Sequence, residues 1–86
     1  MKKIIGILRP FELVQNFYVY EDGNKIDFAE INVDDINNTI LRFSEEYEIY
    51  NVELTGPKKY AQGIKKQLEE AEMSKYSENK LKIDLV

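Results

Sequence analysis

Leu13-Val14-Gln15-Asn16-Phe17-Tyr18-Val19-Tyr20, followed directly by Glu21-Asp22-Gly23-Asn24, is the stretch on which the fold turns. Its residues alternate, with Leu13, Gln15, Phe17 and Val19 on one face and Val14, Asn16, Tyr18 and Tyr20 on the other, as an extended strand requires. Asn16 to Tyr20 is dense in aromatic and β-branched residues, which fit a pleated surface better than a helix. Glu21 to Asn24 is a strong turn signal, so Lys25 to Val33 is expected to return antiparallel as a hairpin partner. The alternation slips between Phe28 and Ala29, which a β-bulge there would produce, as would a strand covered on both sides.

Working outward, Lys3 to Leu8 is a nearly continuous apolar run of β-branched residues. That pattern predicts a strand buried on both faces at the centre of a sheet, ended by Arg9-Pro10. Beyond the hairpin, Asp34 or Asp35 caps a helix whose stripe is Ile36, Ile40, Phe43 and Tyr47 at spacings of three or four. Ile49 to Thr55 alternates as a short strand with Tyr50, Val52 and Leu54 on one side. Gly56-Pro57 opens a second helix, with Tyr60, Ala61, Ile64, Leu68 and Ala71 as its apolar face and an end expected near Ser74 to Tyr76. Asn79-Lys80 leads into Leu81, Ile83 and Leu85, a terminal strand with one wet face.

The order is therefore β-β-β-α-β-α-β. It predicts one α+β domain over residues 1–86, with a five-stranded mixed sheet, the first strand inside it and the later ones parallel to it. A chain of 86 residues buries about 60–65% of its unfolded surface, so its stability belongs at the low end of roughly 5–15 kcal/mol.

Composition removes several chemistries. There is no cysteine and no histidine, so disulfides, thiolate nucleophiles, His-based triads and ordinary imidazole or thiolate metal sites have no residues to work with. The net charge of −4 opposes a diffuse grip on nucleic acid or on an anionic membrane. The apolar opening Met1 to Leu8 is too short for a signal peptide or a membrane helix, and the expected location is the cytoplasm.

The element order resembles that of the ribonuclease H-like fold, including the halves of actin-like ATPases. Val52-Glu53-Leu54-Thr55-Gly56-Pro57, with Gly63-Ile64 beyond it, is similar to the strand, Thr-Gly-Gly turn and helix by which actin-like ATPases approach nucleotide, with Pro57 in place of the second glycine. In those families the first strand carries an aspartate for the metal. Here that stretch reads Ile4-Ile5-Gly6-Ile7, with Ile4 where the aspartate would stand and no carboxylate before Glu12. Glu45, Glu46 and Glu53 are then read as solvated surface, and the chain as the fold without the chemistry: no enzyme, no cofactor and no metal. Met1 to Ile4 and Ile7 to Leu13 also look like the opening of the PII nitrogen-regulatory proteins. There a helix follows, whereas Asn16 to Tyr20 reads as strand. The abundance of Lys, Ile, Asn, Tyr and Glu is a bias common in AT-rich bacterial and phage genomes, and the whole chain also resembles small proteins of tailed bacteriophages and related mobile elements.

Two surfaces remain as candidates. Lys58 and Lys59 at the start of the second helix, beside Thr55 and Gly56, bring positive charge and free backbone N–H groups together, which would suit a phosphate or carboxylate. The commoner outcome for such lysines is simple solvation. The aromatic residues Phe17, Tyr18, Tyr20 and Phe28 on the hairpin, with Tyr47, Tyr50, Tyr60 and Tyr76 elsewhere, exceed what so small a chain needs for packing, and Tyr-rich patches favour protein interfaces. About half of these rings are accounted for by core filling. The hairpin edge has no evident charged guard at its centre. The expected function is a non-catalytic interaction or assembly protein working through Phe17, Tyr18, Tyr20 and Phe28 on a protein partner or a second copy. The alternative is a nucleotide- or anion-binding module using Thr55, Gly56, Lys58 and Lys59.

Overall fold

The computed structural model describes the backbone of residues 1–75 and 81–86 and the side chains of 1–71 and 81–86. The elements are β1 (Lys2–Ile7), β2 (Val14–Glu21), β3 (Asn24–Asn32), a 3-10 turn (Val33–Asp35), α1 (Ile36–Tyr47), β4 (Asn51–Thr55), α2 (Lys58–Lys75) and β5 (Lys82–Leu85). They form one five-stranded sheet in the order β3-β2-β1-β4-β5. β1 pairs antiparallel with β2 and parallel with β4, β2 pairs antiparallel with β3, and β4 pairs parallel with β5. The expected order, the hairpin and the interior place of β1 are all present. Tyr76, Asn79 and Lys80 lie outside the described residues, so the expected end of α2 at Tyr76 and the turn before β5 do too.

The hairpin forms because Asp22 and Gly23 both take positive φ, 50° and 84°, the geometry of a two-residue turn whose twist matches its strands. Both helices lie against the same side of the sheet. Ile4, Phe17, Val19, Val52, Leu54 and Ile83 from the strands share one core with Ile36, Ile40 and Phe43 of α1 and Ala61, Ile64 and Leu68 of α2. This follows from the order of elements, because two successive crossovers of one hand that step the same way across the sheet land on one face.

β1 is consequently not buried on both faces as its composition implied. Ile4 and Leu8 point into the core, while Ile5 is half-buried and Ile7 is 38% exposed. The bulge is also displaced. β2 and β3 pair regularly from Val14↔Asn32 to Val19↔Asp27 and shift between Val19 and Tyr20, where Lys25 is the partner, so Ile26 is the extra residue. Ala29 and Ile31 are inward and Phe28 and Glu30 outward, and no slip occurs between Phe28 and Ala29.

The cap of α1 differs as well. Asn32 accepts a hydrogen bond from the Asp34 amide at 3.0 Å and so caps the 3-10 turn, whereas Asp35 at the start of α1 makes no side-chain cap. β4 begins at Asn51, two residues later than expected, with Ile49 buried ahead of it.

Gly6 fixes the centre of the sheet. A Cβ placed on it would lie 2.5 Å from the Phe17 ring, so the ring rests on the bare backbone of β1. Gly56 plays a similar part at the end of β4. Its φ is +156°, and a Cβ there would lie 2.8 Å from the Leu8 carbonyl oxygen, close to where Leu8 N–H donates to the Thr55 carbonyl at 2.7 Å.

Candidate functional site

The four hairpin aromatics separate by strand parity. Phe17 is fully buried in the core, and its place in an interface is corrected accordingly. Tyr18, Tyr20 and Phe28 come together on the opposite, helix-free face. Tyr18 and Phe28 sit across the β2–β3 ladder with ring centroids 4.9 Å apart, and Tyr18 and Tyr20 are 6.3 Å apart. Ile5 is the β1 neighbour of Tyr18. Phe28 and Ile7 are 41% and 38% exposed, and Val14, 46% exposed, lies on the same face beyond the polar Asn16–Glu30 row.

This patch does have a charged guard. The Lys25 ammonium lies 5.2 Å from the Tyr18 ring centroid and 5.9 Å from that of Phe28, a cation–π arrangement that places one positive charge at its rim. β3 is an edge strand, and its edge is blunted. Asp27 accepts a hydrogen bond from the Phe28 amide at 2.7 Å and from the Tyr47 hydroxyl at 2.6 Å. One outward-pointing backbone donor is thereby occupied from within the chain, as edge strands require.

The Asp27–Tyr47 pair gives the fold a pH signature. The Tyr47 hydroxyl, and after it the Phe28 amide, hold the Asp27 carboxyl below the usual carboxylate range. The same bond pushes the Tyr47 phenol up to about 12. Asp27 therefore adds stability that is present above the ordinary carboxylate pKa and lost as pH falls through its lowered value. Tyr47 adds stability that is complete below about pH 10 and lost as pH rises through about 12. Tyr47→Phe is expected to flatten both limbs of a melting-temperature profile by small amounts, since the pair is solvent-screened. A wild-type profile with the same limbs as the variant would rule the pair out as their source.

Thr55, Gly56, Lys58 and Lys59 are contiguous and exposed at the turn from β4 into α2. Beside them is a pocket of about 260 Å³ lined by Leu54, Gly56, Lys58, Ala61, Leu85 and Val86. Its walls are mostly apolar, and Lys58 is the one charged side chain among the residues that line it. Among the described residues no group of three or more acidic side chains is placed to hold a metal ion. No helix among them is long and apolar enough to cross a membrane.

One surface escaped the reading of the sequence. The loop between β1 and β2 carries Phe11, wholly exposed, and Leu13, 73% exposed. Phe11 has φ +73°, a left-handed conformation that is an outlier for a bulky side chain. The signal that could have found it is Gln15, an amide at a core-facing strand position. It is 1% exposed, and it accepts from the Arg9 amide at 2.6 Å and donates to the carbonyls of Arg9 at 2.7 Å and Glu12 at 2.9 Å.

No protein-family pattern matches the sequence, and no curated protein matches it significantly. Among solved structures the fold is similar to a protein of unknown function with an actin-like ATPase fold from Bacteroides thetaiotaomicron. The TM-score is 0.66 at 17% identity, over 99% of this chain and 32% of that one. The chain thus spans about a third of the length of that neighbour, and the likeness establishes a five-stranded α+β fold of actin-like, ribonuclease H-like type.

Proposed function

We propose that this chain is a non-catalytic interaction protein that binds a protein partner through the helix-free face of its sheet. The observation that supports this most is the cluster of half-buried Tyr18 and Tyr20 with exposed Phe28, continued by Ile5 and Ile7 on β1, on a sheet whose other face already holds both helices. The patch lies on the antiparallel half of the sheet, where one wet face is ordinary but its side chains are usually polar. A face that exposes stacked aromatics pays a solvation cost that a partner removes. Ile4 at the first-strand position where related folds carry a metal-binding aspartate speaks for a role without turnover. The lysine-rich, asparagine- and tyrosine-rich composition speaks for an origin in a phage or mobile element, which the neighbouring genes would test.

The test is a pull-down from the native host with wild-type and Tyr18→Ala or Phe28→Ala bait, alongside melting curves. Each variant should weaken partner retention by about tenfold or more, as interface aromatics do, with a stability loss of about 1 kcal/mol or less. Equal retention by all three baits would sink the proposal.

The second reading is anion or nucleotide binding at Thr55, Gly56, Lys58 and Lys59, favoured by two exposed lysines beside the first turn of α2. Melting with phosphate or ATP decides it. A ligand at 100 times its dissociation constant adds about 2.7 kcal/mol, and no shift at millimolar ligand removes it.

A further inference from the structure

We propose that the β1–β2 loop is a self-association knob: Phe11 of one chain seats in the Leu54–Ala61–Leu85 pocket of a second copy, and the second copy returns the contact about a two-fold axis. This contact is separate from the helix-free face.

The knob is built to be presented. Phe11 is wholly exposed in a left-handed conformation, and three hydrogen bonds from the buried Gln15 amide hold the chain on either side of it. Backbone strain in a bulky residue persists only where its surroundings fix it, and such strain collects at binding sites. A loop fixed beforehand also loses little entropy on docking.

The pocket matches the knob in size and chemistry. Its volume of about 260 Å³ lies below the usual range of small-molecule sites, about 300–1,000 Å³, and above the roughly 150 Å³ that accepts one benzene ring, so a single aromatic ring enters with room to spare. Leu54 and Ala61 are buried at the base of the pocket, Leu85 and Val86 give its more accessible apolar surface, and Lys58 is among the residues that line it. On the loop, Glu12 follows Phe11 directly and lies 4.0 Å from the Arg9 guanidinium, an exposed pair that solvent screens and that leaves the carboxylate open to a second cation. A Phe knob with an adjoining carboxylate is what an apolar pocket with an adjoining ammonium would select, and this chain carries both halves.

Knob and pocket also share one end of the sheet. Leu8, where the loop begins, donates to the Thr55 carbonyl, and Gly56 in the pocket wall lies against Leu8. Neighbouring complementary halves allow a closed, isologous pair, whereas halves at opposite ends would propagate into a filament. Each Phe removes about 150–250 Å² from water. Two such contacts with the surfaces they cover stay below about 1,200 Å², the class of weak and reversible association.

Sedimentation equilibrium of the full chain, from about 10 μM to about 1 mM, tests this against three variants, the concentrations being set by the weak class of interface. Wild type should shift toward dimer across the range. Phe11→Gly should weaken dimerisation by about tenfold or more with its melting temperature unchanged or raised, because glycine accepts the positive φ. Glu12→Lys should weaken it by about two- to fivefold, and adding Lys58→Glu should restore it. A wild-type monomer throughout overturns the knob. So does a Phe11→Gly chain that dimerises like wild type, and loss of the dimer in Tyr18→Ala with its retention in Phe11→Gly assigns the self-contact to the sheet face instead.

Discussion

Phe17→Ala is expected to remove about 3–5 kcal/mol of stability, which is most of what a chain of 86 residues holds. The ring is fully buried at the middle of the sheet and rests on Gly6. Its removal leaves a void bounded by backbone on one side and packed helices on the other, neither of which moves in cheaply. Gly6→Ala attacks the same contact from below. Its methyl would stand 2.5 Å from the ring, so a loss of about 1–3 kcal/mol is expected. The two positions should be coupled, and Gly6→Ala with Phe17→Leu should cost less than the sum of the single changes. Urea melts of wild type, Phe17→Ala, Gly6→Ala, Phe17→Leu and the double variant measure this. A loss below about 1 kcal/mol for Phe17→Ala, under the range for buried aromatics, would mean that β2 presents its other face to the helices. Phe17 would then return to the exposed aromatic set.

That outcome would reverse the point at which sequence and structure parted. Alternation in Leu13 to Tyr20 separates two faces, but both carry aromatics, and a period of two does not say which face meets the helices. The order of elements does say it, since both crossovers land on one side. The helix-free face was therefore legible in principle, while the β-branched run of β1 pointed to cover on both. Element order, strand pairing and the parallel half of the sheet followed directly from spacing and turn chemistry. The bulge did not. Ile26 and Phe28 read as one face and Ala29 and Ile31 as the other, but Asp27 belongs with Ala29 and Ile31 because Tyr47, twenty residues on, supplies its partner. A polar residue satisfied from a distant helix looks in sequence like a break in phase. Phe11 was hidden for a related reason: the one signal, Gln15 at a core-facing strand position, shows that a buried amide needs partners but not that they are the backbone of the preceding loop.

Gln15 is the site of the second large effect. Gln15→Met keeps nearly the same volume and removes three hydrogen bonds, to Arg9 N–H and to the carbonyls of Arg9 and Glu12. At about 0.5–1.5 kcal/mol net for each bond, the expected loss is about 2–4 kcal/mol. The loss should be local in its dynamics. Amides of residues 9–13 should exchange much faster, while those of β1 and β4 speed up only in proportion to the loss of global stability. Gln15→Glu separates shape from hydrogen bonding. A buried carboxyl can accept from the Arg9 amide but donates only when protonated, so burial raises its pKa in the folded state. A raised carboxyl pKa means that Gln15→Glu is most stable below the unfolded value of about 4.3 and loses stability as pH rises through the folded one. Wild type should lack that limb. If Gln15→Met melts like wild type and its loop amides exchange no faster, the loop is held by something other than this side chain. The positive φ of Phe11 would then lose its physical cause, and self-association through the knob would lose the rigidity it depends on.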